Sequence, residues 1–339
     1  MVAVGAVIQD TDYNNIRDDI IGVLGTPSGT QGNASSNQGY GQPLESNSVA
    51  AGATVTADDL NRLYLDIYTC RLHQVNGTGF AVQEVSTGNV IGADASGTDV
   101  DTLTLLQQGF NDYASEATNS VNGRNTHSAS YLAADTATNK QRTTAWGYGG
   151  FNTIDHYLTV TFAGQTKSSA SGNSLALTAA NHARAFFNTG GEIRLFATRT
   201  GGAGHTKNTD WTNMLATYIN TISMSGSTSS VNGTGLGVSN NTLGFYDLTT
   251  SEQVVVSAVG STYAANTYTL RAKVDNATNP TAITFRITLT DGDDQFASVD
   301  PSVNGTLTSN IQVYRAQDGN NIIEIDAPSV NTNATGTTL

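Results

Sequence analysis

The period of the hydrophobic pattern changes along this chain, and the change divides it. The opening is helical in period. Residues 5–24 read GAVIQDTDYNNIRDDIIGVL, and residues 52–71 read GATVTADDLNRLYLDIYTCR. Tyr13, Ile16, Ile20 and Val23 of the first stretch fall on Leu60, Leu63, Ile67 and Cys70 of the second. Steps of three, four and three residues set each group on one stripe of an α-helix. At an offset of 47 the pairs Gly5/Gly52, Ala6/Ala53, Asp12/Asp59, Asn14/Asn61, Asp19/Asp66 and Ile20/Ile67 are identical. The chain therefore opens with two copies of one unit, a short extended lead-in and an amphipathic helix. The first helix is expected over 11–24, capped by Asp10 or Thr11 and stopped by Gly25. The second is expected from Thr56 to about His73, with Thr56 and Asp59 forming a capping box. The Gly/Ser/Asn-rich stretch 26–49 between them, with Tyr40 and Pro43 as its stiff points, reads as a flexible arm.

Further on the period turns to two. Residues 80–100 suggest a loose hairpin, 102–118 (TLTLLQQGFNDYASEAT) a third helix, and the Ser/Thr/Asn-rich 118–145 a linker. The run 156–162 (HYLTVTF) alternates as a strand does, and so does 192–199 (EIRLFATR). Helices are expected at 177–187 and 208–220. Strands are expected at 253–259, 268–274, 282–290, 306–314 and 322–326, with Gly, Asn, Asp and Pro in the turns between them. That spacing without intervening helices suggests an antiparallel sandwich. The expected class is thus α+β: a small N-terminal helical module with an internal duplication, then mainly antiparallel β-sandwich-type domains. The expected boundaries are a module at 1–75 containing the arm 26–49, a connector at 76–145, an α+β domain at 146–245 and an antiparallel β domain at 246–339.

Composition narrows what such a chain does. Charged residues make up 13 % of its 339 residues, about half the usual share, and Gly, Thr, Ser and Asn take their place. A surface of hydroxyls and amides suits a static, assembled β-structure. The net charge of −13 with scattered arginines argues against a nucleic-acid partner, which requires a basic stripe. No apolar run approaches the 18 or so residues that span a bilayer, and the first residues lack the basic and apolar regions of a signal peptide. Cys70 is the only cysteine, so an intrachain disulfide and a Cys-based zinc site are both ruled out. On its stripe it reads as a buried, inert thiol.

Candidate chemistry is sparse. His73, His127, His156, His182 and His205 lie far apart in sequence, which speaks against a structural zinc site. Asp291-Gly-Asp-Asp294 with Asp300 offers oxygen ligands but not EF-hand spacing, and reads as a solvated turn. There is no Gly-x-Ser-x-Gly elbow and no P-loop. The glycine-dense 200–205 (TGGAGH) precedes a helix but reads as a flexible turn and not as an anion site. Glu192, Asp247 and Glu252 are carboxylates of the kind glycosidases pair, a weak signal in a chain with 28 acids. No catalytic residue, cofactor or metal is expected.

Several runs resemble virion structural proteins of T4-like tailed phages that infect cyanobacteria. They are DYNNIRDDI (12–20), GYGQ (39–42), the helix ending in HQ (73–74), RAFFNTGGEIRLFATRTG (184–201), NTDWTNML (208–215), LGFYDLTTSEQ (243–253) and NGTLTS (304–309). The resemblance implies a tail-associated or fibre-like virion component in a symmetric multimer. Its partners would be other virion proteins of tail, neck or baseplate and further copies of itself, as trimer or hexamer. The duplicated unit is then the expected mount, with Tyr13, Ile16, Ile20, Val23, Leu60, Leu63, Ile67 and Tyr40 as its attachment interface. Its two stripes either pack on each other within one subunit or occupy equivalent grooves on two partner subunits. Two further readings are a capsid decoration protein held by the arm 26–49, and a spike domain binding a host surface glycan through Trp146-Gly-Tyr148.

Overall fold

In a computed structural model the described residues are 7–74, 85–86, 110–127, 131–148, 152–235, 237–292, 302–317 and 323–333. They form an α+β chain with two hydrophobic cores, one helical and one between antiparallel sheets.

The helical core gathers α1 (Asp10–Leu24), α2 (Ala57–Gln74) and α3 (Phe110–Gly123). Both duplicated helices start the same way. The Asp12 carboxylate accepts the Gln9 N–H, and the Asp59 carboxylate accepts the Thr56 N–H while the Thr56 hydroxyl accepts the Asp59 N–H. Such reciprocal bonds satisfy amide groups that the first helical turn leaves unpaired. The N-cap of α1 is accordingly Gln9 and not Asp10 or Thr11, because the carboxylate able to reach back sits at Asp12. Gly25 ends α1 as expected, its N–H donating to the Ile21 carbonyl. The third helix is described from 110, eight residues later than expected, and runs on to 123; the residues 102–109 and most of the hairpin at 80–100 lie outside the described ones.

The second core lies between two antiparallel sheets. One has the order β10 (Ser239–Asn240), β11 (Gln253–Val259), β12 (Thr267–Val274), β13 (Ala282–Thr290), β4 (Thr153–Thr161), β15 (Ser329–Asn333). The other has the order β3 (Leu132–Arg142), β14 (Thr306–Ala316), β7 (Glu192–Thr200), β8 (Thr221–Met224), β9 (Ser229–Val231). Alternating burial builds several of their strands. On β13 Ile283, Phe285, Ile287 and Leu289 are buried while the residues between face outward, and Ile193, Leu195 and Ala197 do the same on β7. A separate hairpin, β5 (Gln165–Ser168) and β6 (Ser174–Leu177), precedes α4 (Ala179–Asn188); α4 and α5 (Thr206–Asn213), which continues as a π-helical turn at Met214–Ile219, supply Phe186, Phe187, Trp211 and Leu215 to the core.

Four expectations change here. Residues 132–142, read as linker, form β3 and pair along β14. The expected strand at 322–326 is replaced by β15, which begins at Ser329 and pairs with β4. Strands from 146–245 and from 246–339 interleave in both sheets and share one core, since β4 lies between β13 and β15, and β14 lies beside β7. Finally, 26–49 is no flexible arm. It holds the hairpin β1 (Ser28–Thr30) and β2 (Asn33–Gln38), then a strap at 39–49 whose Tyr40, Leu44 and Val49 enter the helical core.

Candidate attachment site and the polar interior

Every residue expected at the attachment interface is at most 5 % exposed, and all eight belong to the chain's own helical core. Tyr13, Ile16, Ile20 and Val23 meet Leu60, Leu63, Ile67, Phe110, Tyr113 and Tyr40, so the stripes pack within one subunit. A stripe tells that a helix face is covered, not by what, and here the cover is internal. The phenols are tied as well: Tyr13 Oη donates to the Asn47 and Asp59 carbonyls, and Tyr40 Oη to the Arg124 carbonyl at 2.8 Å. Burial pushes both phenols well above the usual tyrosine range.

The duplication also repeats a task outside the stripes. Asn14 donates from Nδ2 to the Val49 carbonyl at 2.8 Å and accepts the Val49 N–H at 3.0 Å. Asn61 treats Val85 identically, donating at 3.0 Å and accepting at 2.8 Å. Each amide thus closes both backbone groups of a valine in an irregular segment, which a side-chain amide can do because it carries donor and acceptor together. Asp66 does related work on the strap, accepting the N–H groups of Glu45 at 2.8 Å and Ser46 at 3.0 Å. Its burial nonetheless raises its carboxyl to about 6.

Where module and sandwich meet, the ties run both ways. Glu45 accepts the Ala170 and Ser171 N–H groups, Gln31 Nε2 donates to the Phe245 carbonyl, Asn188 Nδ2 donates to Gly39, and Gln42 Nε2 to Glu324. His73 Nε2 meets the Thr189 carbonyl at 3.1 Å, and its ring lies 5.1 Å from that of His127, between Tyr40 and Tyr131. Gly190, in the left-handed region at φ +89°, lets the turn after α4 approach the His127 ring where a Cβ would crowd it. Burial holds His73 down to about 4; burial and then the neighbouring His73 hold His127 down to about 3. Nothing in the sequence spacing pairs residues 73 and 127; the fold brings them together.

Within the sandwich, polar groups are likewise spent on structure. Lys207 Nζ donates to Asp291 Oδ2 at 3.1 Å, both side chains buried, so this acid of the expected solvated turn faces inward. Asp293, Asp294 and Asp300 lie outside the described residues. Asp210 accepts the Ser261, Thr262 and Tyr263 N–H groups and the Ser261 hydroxyl. The glycine-dense 200–205 is pinned, since Ala203 N–H donates to Asn304 Oδ1, and Gly202 (φ +79°) packs against Asn304. The three acids considered for glycoside chemistry are dispersed. Glu192 pairs with Arg194 on one sheet, Glu252 with Arg286 on the other, and Asp247 accepts the Gly244 N–H. Trp146, expected at a glycan surface, is 3 % exposed against Trp211, ring centroids 4.9 Å apart; Tyr148 is exposed. Among the described residues no group of three or more His, Cys, Asp or Glu side chains could hold a metal ion, and no helix is long and apolar enough to cross a membrane. Comparison with known proteins finds no matching family model, curated protein or solved structure.

Proposed function

We propose that the chain is a non-catalytic structural subunit of a tailed-phage virion, fixed at tail, neck or baseplate through its N-terminal module and present as a homo-oligomer. The runs quoted from the sequence favour a virion protein. One structural observation supports the non-catalytic reading: among the described residues, the buried carboxylates Asp66, Asp210 and Asp291 and the buried Lys207 are consumed in holding backbone or one another. Asp66 holds 45–46, Asp210 holds 261–263, and Lys207 and Asp291 hold each other. Catalysis needs such groups converging on a cleft with a reacting atom between them; here they converge on the chain itself.

The two rival readings lose their particular support. A decoration protein held by an arm at 26–49 needs that stretch free, and it is folded. A glycan site at Trp146 needs an exposed indole, and the ring is buried.

Immunogold labelling and mass spectrometry of purified particles from the phage encoding this chain test the proposal. The expected result is a stoichiometric particle protein with label at the tail, neck or baseplate. Recovery only from the soluble fraction of the lysate would overturn the virion reading, and label over the shell would reinstate decoration. Deleting residues 1–75 is no substitute test. It would strip the cover from Phe110, Tyr113, Ala316 and Ile323 of the shared helical core, so loss of incorporation would reflect misfolding as readily as a lost mount.

A further inference from the structure

Among the described residues, the two copies of the duplicated unit use their identical side chains alike, with one exception. Asp12 and Asp59 both cap their helices, and Asn14 and Asn61 both hold a valine backbone. Asp66 is 2 % exposed and accepts two consecutive backbone N–H groups, those of Glu45 and Ser46. Its counterpart Asp19, at the same place on α1, is exposed, and no hydrogen bond or ion pair reaches it among the described residues. The reason lies in the count. The strap that fills Asp66 is the connection between the copies, and two copies have one connection.

The surface beside Asp19 is open as well. Gly22, three residues on and so its neighbour on the helix surface, replaces the Thr69 of the second copy and leaves the helix backbone bare. Gly22 also lines a groove of about 530 Å³ walled by Ile21, Leu44 and Leu175, with Arg17 among its polar groups.

We propose that Asp19 is the acceptor for an extended segment of a partner polypeptide, which donates two consecutive N–H groups to it and continues over Gly22 into the groove. The occupant has the chemistry of the strap itself, an apolar residue followed by two free N–H groups, as in Leu44-Glu45-Ser46. Bonds from two amides to one carboxylate are charge-assisted and stronger than neutral ones. The assignment of Asp19 rests on comparing the two copies; only the identification of the partner as a neighbouring virion subunit rests on the reading above.

The test uses the full chain and a labelled synthetic peptide, YGQPLESNSV, copying residues 40–49, followed by fluorescence anisotropy. Saturable binding is expected, weakened at least tenfold by Asp19→Asn and unchanged by Asp18→Asn. The same peptide N-methylated at the positions copying Glu45 and Ser46 should also bind at least tenfold more weakly, because it has lost both donors. Absence of saturable binding, or equal binding to wild type and Asp19→Asn, overturns the proposal; the second result would mean that the peptide exchanges with the chain's own strap at Asp66. Concentration-dependent self-association in sedimentation velocity that disappears in Asp19→Asn would support it and identify the partner as a second copy. Labelling of particles does not depend on Asp19, so failure here leaves the virion reading standing.

Discussion

The two cores are held together by different means. In the sandwich, ladders on both sides close the backbone of inner strands such as β13, and side chains such as Phe285, Ile287 and Leu195 are left to pack. In the helical module, the strap and residues 85–86 have no ladder among the described residues. The N–H groups of Tyr40, Gly41 and Gln42 donate to carbonyls at the end of α1, and beyond them side chains close the backbone: Asn14, Asn61, Asp66, Gln42 and Tyr13. An unpaired buried amide costs about as much as a lost hydrogen bond, so the module's stability depends on a few polar residues where the sandwich depends on many apolar ones. The first is sensitive to single polar changes and to protonation, the second to lost volume.

Lost volume should give the largest effect. Phe285 lies at 0 % exposure in the middle of β13, between β12 and β4. Phe285→Ala should cost about 3–5 kcal/mol, the usual range for a phenylalanine emptied from a core. Ile20→Ala in the helical core should cost about 2–5 kcal/mol by the same rule. Because Gly39, Gln42 and Glu45 tie the strap to the sandwich, either substitution should move one common transition. Helical ellipticity and tryptophan fluorescence should shift together with urea. If helical ellipticity persisted after the tryptophan transition in Phe285→Ala, the cores would be independent units and the comparison above would become one between two domains.

Acid should separate them next. His73 at about 4 and His127 at about 3 lie below the usual 6.5, so the fold favours their neutral forms and the unfolded chain binds protons first. Their contribution is complete above pH 6.5 and is lost as pH falls through 6.5 toward 4 and 3. For His73 the loss is on the order of 3 kcal/mol, at about 1.4 kcal/mol for each pKa unit. Asp66 acts oppositely: raised from 3.8 to about 6, it adds stability on the acid side and loses it as pH rises through 6. Two histidines against one carboxyl leave a net loss at the junction. Among the described residues the sandwich carries one comparable group, His156, held near 4 by burial and then by the charges of Lys140 and Arg142. Melting temperature measured from pH 7 to pH 4 should therefore fall, and fall less steeply in His127→Phe. A variant with the wild-type slope would remove the junction from the account of acid sensitivity.

How much of this was legible in the sequence follows the same division. Period-two runs such as 282–290 mark their strands because inward and outward residues differ in kind. Strand β3, LAADTATNKQR, escapes notice because Ala, Thr, Asn and Lys fill its length, and only pairing with β14 makes it a strand. The helical stripes were legible, but their cover was not, since an apolar face has no label for its partner. The strap looked like a flexible arm because its anchors lie elsewhere in the chain: Glu45 bonds residues 125 and 126 positions away. No composition reveals that. The same holds for the pairing of His73 with His127, which exists only once α2 and the segment after α3 meet the turn at Thr189. The runs that suggested a virion protein concern identity and not geometry, and they stand as the basis of a proposal.

The smallest effects are the most discriminating, because the molecule contains its own control. Asn14→Ala and Asn61→Ala each delete one side-chain amide that closes both backbone groups of a valine. Each leaves a part-buried N–H and carbonyl without that partner. The usual penalty is about 1–3 kcal/mol for a buried group left unsatisfied. The two should differ in what they loosen. Val49 leads from the strap whose Glu45 and Ser46 are held by Asp66, so Asn14→Ala should raise hydrogen exchange at Val49 and carry into 45–46. Val85 has no such second tie among the described residues, so Asn61→Ala should release Val85 alone. If both variants lost equal stability and loosened only their own valine, the duplicated amides would be two separate repairs of irregular backbone. If Asn14→Ala also freed 45–46, the first copy would be shown to steady the segment that fills the second, and the repeat would be a linked pair.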